Sequence, residues 1–359
     1  MFKILDRYII KKYLTTFIFV VLIFCSLIII IDFTEKNDDF TYYKLEFSYV
    51  MKTYYLNYFP YLANFLSPII IFISTIYVNA RLASNVEIVA ILSSGVNFKR
   101  FILSYITGAI IVGSCIFVII GWILPIANRE RISFEKQYIN GDFYYSEKNT
   151  HIRLSETADA FLRVYDNHHN SGYDFAIHDV IDGKLNYQLK SGKIRWDTLK
   201  CMWHMDKYTV RTFNEEGENI FHGNSLDTLL SFYPDDFTDT YKLQETMTNG
   251  ELKEYIAEQE KKGFTNYTDF VIELYERYTY PFAIIILTFI GVVVSSKKSR
   301  EGVGLQLVLG LVLAFAYILL LLTGRAFTQD DTFHPLFAAW MPNLVFIVIG
   351  AFLYRTVPK

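Results

Sequence analysis

The residues that could perform chemistry are few, and their spacing supports little of it. His168 and His169 are adjacent in "DNHHNSGYD", whose composition is typical of a polar loop and not of a metal site. The three cysteines are far apart in sequence, so they offer neither a disulfide framework nor a C-x-x-C ligand pair. These cysteines are Cys25, Cys115 and Cys201. The sequence therefore predicts no metal site.

Nucleotide chemistry has no motif in this chain either. Gly192 and Lys193 come nearest to a phosphate-binding G-x-x-x-x-G-K-[ST] loop, but Ile194 follows where that loop needs a hydroxyl. There is no nucleophile elbow and no plausible pair of catalytic carboxylates. We therefore expect a protein without catalytic residues, one that binds no ATP or other cofactor by itself.

The composition is that of a membrane protein with a sizeable soluble part. Of the 359 residues, 52% are hydrophobic, and the mean hydropathy is +0.23. The net charge of -3 gives no indication of nucleic-acid binding. Six runs are apolar enough to cross a bilayer, which takes about 20 residues per helix. They lie at about 13–31, 56–80, 101–126, 278–294, 303–324 and 336–354.

The fourth run is short, and we expect its helix to begin earlier, near Phe270. The centres of all six runs contain no ionisable side chain. Transporters coupled to protons or ions usually place such a group at membrane depth, so this class is disfavoured.

Lysine and arginine residues in the short loops predict the orientation of the runs. One side collects the cations that precede the first run, those of the connector 79–101, those at 297–300 and those at the C-terminal end. The opposite short loop offers only Arg325, against two aspartates. Both termini and the connector are therefore predicted to be cytoplasmic, and the long insert 127–268 lies on the outer side.

The insert has the pattern of short antiparallel strands. Its segments "FAIHDVIDGKLNYQL", "GKIRWD" and "KYTVRTF" alternate apolar and polar residues, and Asp182–Gly183 and Ser191–Gly192 are predicted turns between strands. Such strands favour a β-sandwich or jelly roll. Thr248 and Glu251 match a capping box at the start of a helix that should end near Gly263.

The connector "NARLASNVEIVAILSSGVNFKRF" raises a different question, because its middle is apolar where a loop should be polar. Ser84 and Glu87 match a second capping box, and Gly95 offers a C-terminal stop. We therefore predict a short cytoplasmic helix at about 82–95.

This short helix is apolar on more than one side. One stripe comprises Val86, Val89 and Ala90, and a second set points elsewhere, namely Ile88, Ile91 and Leu92. Such a helix must be buried on two sides, and one of them can be the base of the membrane bundle. The other side requires a second protein. The alternative, a helix lying among lipid headgroups, would prefer a strongly charged polar face, which is missing here.

Four segments of the chain carry a resemblance to a known family. The opening "LDRYIIKKYLTTF", the stretch "YFPYLANFLSPIIIFISTIYVNARLASNVEIVAILSSGVNFKRF", the segment "ELYERYTYPFAIIILTFIGVVVSS" and the closing "HPLFAAWMPNLVFIVIGAFLYR" resemble the lipopolysaccharide-export permeases of the LptF/LptG type. The resemblance covers both membrane halves. It implies a membrane α-helical bundle of six transmembrane helices with an inserted periplasmic antiparallel β domain, jelly-roll-like in type.

Domain boundaries follow from combining the resemblance with the pattern. Residues 1–126 are predicted to form the first transmembrane half, 127–268 the periplasmic β domain with its connecting helix, and 269–359 the second half. The protein is expected in the bacterial inner membrane, multi-pass, with the β domain in the periplasm.

The resemblance also implies partners. Two homologous permeases form a heterodimer above a dimer of cytoplasmic ABC ATPases, which use the ATP. The short helix is similar to the family's coupling helix, so the resemblance assigns ATPase coupling to it. The coupling residues expected are Ser84, Val86, Glu87, Val89, Ala90 and Gly95, with Glu87 at the position of the family's coupling glutamate.

The same resemblance implies that lipopolysaccharide enters laterally between spans one and five of the two permeases. It then passes through the periplasmic β domain to a bridge of similar folds. Cations near the outer end of span one contact lipid phosphates in the family. Here "IDFTEKNDDF" keeps only Lys36 among four acids. Arg325, at the outer end of span five, is the second expected substrate contact, and snorkelling is its alternative role.

Two other functions fit parts of the sequence. One is a membrane-anchored periplasmic ligand-binding or sensor protein, which would not retain a stoichiometric ATPase when solubilised. The other is a permease for another lipid or for a lipoprotein, which shares the architecture and differs only in what its cavity holds.

Overall fold

The computed structural model describes residues 4–139, 148–181, 183–214, 217–237, 242–262, 267–296, 303–329 and 333–356. The chain divides into two compact units. The helical unit comprises Met1–Ile139 and Val271–Lys359, and the β unit comprises Asn140–Phe270. Several predicted features lie outside the described residues: Asp182, Gly263 and the cations at 297–300.

The helices are numbered in chain order. They are α1 (Ile4–Tyr42), α2 (Phe47–Val50), α3 (Leu56–Phe65), α4 (Ser67–Ser84), α5 (Glu87–Ser93), α6 (Phe98–Val118), α7 (Leu124–Tyr138), α8 (Leu243–Thr246), α9 (Asn249–Lys262), α10 (Thr268–Ser295), α11 (Val303–Gln329) and α12 (Pro335–Thr356). Two π-helical turns, Met51–Tyr55 and Ile119–Ile123, join α2 to α3 and α6 to α7. A 3₁₀ turn covers Pro234–Phe237.

Six of these helical runs are long and apolar enough to cross a membrane: α1, α4, the continuous α6–α7, α10, α11 and α12. This confirms the predicted bundle of six spans within the described residues. The fourth span begins at Thr268, close to the expected start near Phe270. The second differs from expectation, because the run predicted at 56–80 is divided between α3 and α4.

Pro68 explains this division. It lacks the N–H that would otherwise be donated to the carbonyl of Asn64 one turn earlier, so the helical ladder loses a bond there. The hydroxyl of Tyr280 on α10 takes its place and donates to the Asn64 carbonyl oxygen at 2.6 Å. The same hydroxyl lies 2.7 Å from Ser67 Oγ. The break therefore becomes a polar junction between the second and fourth spans.

A close contact fastens the first span to the rest of the bundle. The ring of Tyr13 lies over Gly108 on α6, where a Cβ atom would stand 2.8 Å from the ring, so only glycine fits. Beyond the ring, the Tyr13 hydroxyl lies 3.1 Å from Thr288 Oγ1 on α10. Tyr13, Phe101 and Tyr105 are fully buried in the same core cluster. The N-terminal part of α1 is thus anchored against α6 and α10.

The β unit is built on one antiparallel sheet whose strands neighbour each other in chain order. The strands are β1 (Lys148–Arg153), β2 (Ala158–Asp166), β3 (Ser171–Ile181), β4 (Lys184–Asp197), β5 (Met202–Asn214) and β6 (Gly217–Thr228). The predicted membrane bundle with an inserted antiparallel β domain is therefore confirmed, and the sheet fits a jelly-roll-like domain. Gly183, with φ +74°, lies in the predicted turn between β3 and β4.

The second predicted turn, Ser191–Gly192, is wrong. Both residues lie inside β4, and Ser191 pairs with Phe175 on one side and with Tyr208 on the other. The ladder is interrupted at Gly192, between these pairs and those of Lys193. The glycine therefore marks an irregularity in a strand, and a turn is not formed there.

That irregularity belongs to a row that crosses the sheet. In three alternate strands the residue on this row has a left-handed backbone: φ is 59° at Asn149, 52° at Asp174 and 54° at Lys207. A left-handed residue turns the following part of a strand, so side chains change face across the row. In β4, Leu189 and Ile194 are five positions apart, yet both are buried in one core. The row thus bends the sheet around its apolar core.

The chain after β6 covers this core. Trp203 is buried and its indole Nε1 donates to the carbonyl oxygen of Phe232 at 2.9 Å. Phe232 and Phe237 are both fully buried. The helix α9 starts as predicted, because Thr248 N donates to Glu251 Oε2 at 2.8 Å and Glu251 N donates to Thr248 Oγ1 at 3.5 Å. These two bonds complete the capping box.

Candidate functional site

The candidate coupling segment is a two-residue turn, Asn85 and Val86, followed by the short helix α5. Ser84 does not cap this helix, because it is the last residue of α4 and its hydroxyl donates to the carbonyl oxygen of Arg81 at 2.9 Å. The capping box predicted for Ser84 and Glu87 is therefore wrong. The residue at the start of α5 is Val86, and Gly95, with φ +86°, follows its end as predicted.

Val86 has an unusual backbone. Its φ of 64° lies in the left-handed region, which is a genuine outlier for a β-branched residue. Such a conformation costs of order 1–3 kcal/mol and persists where the surroundings impose it, frequently at functional sites. The turn brings the chain from α4 directly into α5 and leaves the Val86 side chain exposed.

The two sides of α5 differ in burial. Ile88 is only 4% exposed, and Ile91 and Leu92 pack against the same helical core. On the other side Val89 is 60% exposed and Val86 48% exposed. The exposed residues define the α5 face: Val86, Val89 and Ala90. The bundle thus buries one of the two predicted apolar sides, and the other lies at the surface of this chain.

Glu87 connects α5 to the first span. Its Oε2 accepts a hydrogen bond of 2.8 Å from the Tyr8 hydroxyl, and Lys12 Nζ lies 3.6 Å from the same oxygen. Asn85 Nδ2 donates to Oε1 at 3.2 Å. Burial acts to raise the pKa of Glu87, but the hydrogen bonds from Tyr8 and Asn85 and the charge of Lys12 outweigh it and lower the pKa below its ordinary value. The carboxylate is therefore ionised and held against α1.

A second polar contact fastens the same end of α1. Asp6 is buried, and its carboxylate accepts hydrogen bonds from Arg100 at 3.2 Å and from the Ser104 hydroxyl at 2.8 Å. Both donors lie on α6. Sequence analysis missed Asp6, Tyr8 and Lys12 as members of this site. The only signal available was the spacing of Tyr8 and Lys12, which puts both on one face of α1.

Lys36, the first expected substrate contact, lies near the C-terminal end of α1 in a network of polar and aromatic groups. Its Nζ lies 2.8 Å from Asp32 Oδ1 and donates to the Tyr54 hydroxyl at 2.5 Å. The side chain is 20% exposed. The ammonium also faces the rings of Tyr54 and Tyr58. A lipid phosphate would have to compete with Asp32 for this cation.

Arg325, the second expected substrate contact, is also paired. Its guanidinium on α11 donates to both carboxylates of α10 that face it, Glu273 at 3.2 Å and Glu276. The side chain nevertheless stays 41% exposed. Lys36 and Arg325 share no contact among those described. Lys36 pairs with an acid of its own helix, and Arg325 pairs with acids of α10.

A buried arginine near Lys36 was not anticipated. Arg131 on α7 is 1% exposed, and its guanidinium carbon lies 3.9 Å from the centre of the Tyr61 ring. Glu135, one turn on, approaches it at 3.8 Å and accepts a bond from the Tyr54 hydroxyl at 3.3 Å. The Lys36 network therefore extends from α1 to α7. The signal was present in "NRERISF", where cations follow directly on the third span.

The spans differ in how much apolar surface they leave uncovered. Of the six described spans, the first and fifth have the smallest share of buried residues in their apolar parts. On α1 the exposed apolar residues comprise Ile18, Phe19, Leu22, Ile23, Leu27, Ile30 and Ile31, and on α11 they comprise Leu305, Val308, Leu309, Leu311, Val312, Phe315, Leu319 and Leu322. A further apolar groove of about 280 Å³ lies between α1, α3 and α6, and includes Phe17, Pro60 and Ile116.

These features define a class of protein. Six membrane-length helices with charge-free centres, an inserted antiparallel β unit and a short helix with an uncovered apolar face are the features of a multi-pass membrane protein. The family model described as "Lipopolysaccharide export system permease LptF/LptG" matches residues 7–356. The chain belongs to this family. No curated protein matches it.

Family membership confirms the resemblance seen in the sequence. It establishes a multi-pass inner-membrane permease with a general role in lipopolysaccharide export, one that works with other components of that export system and belongs to a non-catalytic class of subunit.

Proposed function

We propose that this chain is one of two permease subunits of an ABC transporter, and that it extracts lipopolysaccharide from the inner membrane without altering it chemically. The second subunit is a homologous permease, and a dimer of cytoplasmic ATPases hydrolyses the ATP. The observation that carries the proposal is the α5 face. Val86 and Val89 are exposed on a helix whose opposite side is buried, so one apolar surface is left for a partner to cover.

The orientation follows from charge. Lys3, Arg7, Lys11 and Lys12 precede the first span, and Lys99 and Arg100 follow α5, so the positive-inside rule puts this end of the bundle in the cytoplasm. Both termini are then cytoplasmic and the β unit is periplasmic. With that orientation the α5 face points to the compartment that holds ATP.

Coupling runs through Glu87 in this proposal. Closure of the ATPases moves α5, and the bonds from Glu87 to Tyr8 and Lys12 carry that movement to the first span. Glu87 is ionised, and hydrogen bonds to an ionised group are stronger than those between neutral groups. The contact between α5 and α1 therefore resists separation. Tyr8 and Lys12 lie within one turn of each other, so the pull acts on a single segment of α1.

The lipid enters between the first span of one permease and the fifth span of the other. The exposed apolar stretches of α1 and α11 supply the walls for its acyl chains. Narrowing of this shared cavity, driven through α5, expels the lipid toward the periplasm. Shape and burial select the substrate here, because the centres of the spans carry no charge.

Lys36 and Arg325 receive the lipid phosphates at the outer end of the cavity. Each cation already faces a carboxylate, Asp32 for Lys36 and Glu276 for Arg325. A phosphate that displaces the carboxylate therefore exchanges one ion pair for another, so its net gain is small and its release is easy. Weak contacts of this kind suit a transporter, because it must release the lipid that it binds.

The β unit passes the lipid to a bridge of similar folds. In the part of the unit that the structure describes, β1 and β6 are the outermost strands, and each has a neighbour on one side only. A free strand edge accepts a further strand from another β domain, which would extend the sheet and its apolar inner surface.

Isolation of the intact complex tests the proposal. We expect the chain, solubilised from its own membranes, to retain a homologous permease and an ATPase in fixed stoichiometry. A sensor protein would retain no ATPase, and that result would overturn the assignment. Photocrosslinking from within the cavity separates the substrates: labelled lipopolysaccharide supports the proposal, and exclusive labelling of a lipoprotein contradicts it.

A further inference from the structure

A second groove lies between α1 and α6 at the N-terminal end of α1, and it overlaps the exposed apolar stretch of α1 only at Ile18. Its volume is about 410 Å³. The walls are apolar along its length, and two cations stand at one end. The apolar residues are Ile10, Leu14, Ile18 and Ile111, and the cations are Arg7 and Lys11.

Both cations of this groove are exposed, and neither faces a carboxylate within the part of the chain that the structure describes. Two acids of the same region pair with other cations. Asp6 pairs with Arg100 at 3.2 Å, and Glu87 pairs with Lys12 at 3.6 Å. The groove therefore has uncompensated positive charge at one end.

The groove reaches from the headgroup region into one leaflet of a membrane. Beyond the cations, Lys11 and Ile18 are seven positions apart in α1, which corresponds to about 10 Å at 1.5 Å per residue. The hydrocarbon core of a bilayer is about 30 Å thick, so this part of the groove fits within one leaflet of about 15 Å. No charged side chain follows Lys12 until Asp32, so the cations stand where the first span leaves the hydrocarbon.

We propose that this groove binds an anionic phospholipid from the leaflet nearest the start of the chain. The phosphate lies between Arg7 and Lys11, and one acyl chain follows Leu14, Ile18 and Ile111. A zwitterionic lipid makes the same apolar contact, but its own cation opposes the two on the protein. The net negative charge of the headgroup therefore decides which lipid is held.

The site does not depend on the proposed transport function. It lies on the face of α1 that carries Arg7 and Lys11, whereas Tyr8 and Lys12 contact Glu87 on another side. A bound phospholipid would support the first span at the end where α5 is attached.

Lipid retention measures the preference directly. The complex, purified with its native partners, is reconstituted in nanodiscs of equal parts phosphatidylcholine and phosphatidylglycerol, and bound lipids are counted by native mass spectrometry. We expect phosphatidylglycerol to be retained preferentially. Each cation near an anionic headgroup strengthens binding about fivefold, so the Arg7→Gln, Lys11→Gln double variant should lower the preference up to about 25-fold.

A matched control uses Lys99→Gln, an exposed cation at the start of α6 that does not line the groove. It should leave the preference unchanged. Equal loss in the control, or an unchanged preference in the double variant, would overturn the proposal. Ile111→Trp, which fills the groove without changing its charge, should reduce retention of both lipids.

The identity of the occupant is tested separately by a photoreactive residue in place of Thr15, which also lines the groove. Labelling of phosphatidylglycerol supports the proposal. Labelling of a second permease chain would mean that protein covers the groove, and labelling of lipopolysaccharide would make it part of the transport route. Either outcome contradicts a phospholipid site.

Discussion

Replacement of Val89 by serine tests the α5 face quantitatively. Full burial of a valine side chain stabilises by roughly 2 kcal/mol, at the low end of the range for large aliphatic residues. Val89 is 60% exposed in this chain, so about 1.2 kcal/mol of that burial is still available to a partner. Since 1.4 kcal/mol corresponds to a tenfold change, Val89→Ser should weaken ATPase binding by about sevenfold.

The assay is a titration of the purified permease with the ATPase, followed by the fraction of complex formed. The stability of the permease itself should fall by less than about 1 kcal/mol, because less than half of the side chain is buried within the chain. Ile88→Ser should instead lower the stability of the permease, since Ile88 is buried and its replacement destabilises the bundle.

Val118→Ser is the matched control, because Val118 is about as exposed as Val89 but lies at the end of α6. It should leave ATPase affinity unchanged. If Val89→Ser binds the ATPase normally, or if Val118→Ser weakens binding as much, the α5 face is not the docking surface.

Three further predictions follow from other contacts. Glu87→Lys repels Lys12, so the chain should insert normally but lose its ATPase; normal complex yield and export would contradict this. A photoreactive residue near Lys36 should label lipopolysaccharide, and labelling confined to phospholipid would contradict the route. Asp227 and Asp206 raise the pKa of His204 above its ordinary 6.5, so the ion pairs stabilise the β unit below that pH and their contribution fades as the pH rises through the raised pKa. His204→Gln should flatten this pH dependence of unfolding, followed by tryptophan fluorescence.

Much of the helical fold could be predicted from the sequence, because each span is a continuous apolar run and lipid leaves the backbone few alternatives. The break between α3 and α4 was missed. Pro68 indicated a missing N–H, but the hydroxyl that replaces it belongs to Tyr280, more than two hundred positions away. A long-range donor of this kind has no local signature.

The sheet was predicted in type and missed in detail. Alternation of polar and apolar residues identified its strands, but the row through Asn149, Asp174, Gly192 and Lys207 shifts that alternation by one position. A serine–glycine pair in the middle of β4 therefore looked like a turn. The left-handed residues that cause the shift are not glycines, so their backbone could not be inferred from residue type.

The candidate site, too, could be predicted from the sequence only in part. The apolar stripes of α5 and the stop at Gly95 were visible locally, and the structure agrees with both. The attachment of Glu87 to Tyr8 was not, because it joins residues 79 positions apart. The same holds for Lys36, whose partners on α1 and near α3 come together only in the folded bundle.

Thiol accessibility at position 89 measures whether a cytoplasmic ATPase covers the α5 face. Val89→Cys is introduced with Cys115→Ser and Cys201→Ser, which leaves Cys25 buried in the first span, and a membrane-impermeant maleimide is applied to inverted and to right-side-out vesicles. We expect labelling in inverted vesicles only, and protection of the thiol when the ATPase is bound. Labelling from the periplasmic side, or equal labelling with and without the ATPase, would contradict this expectation.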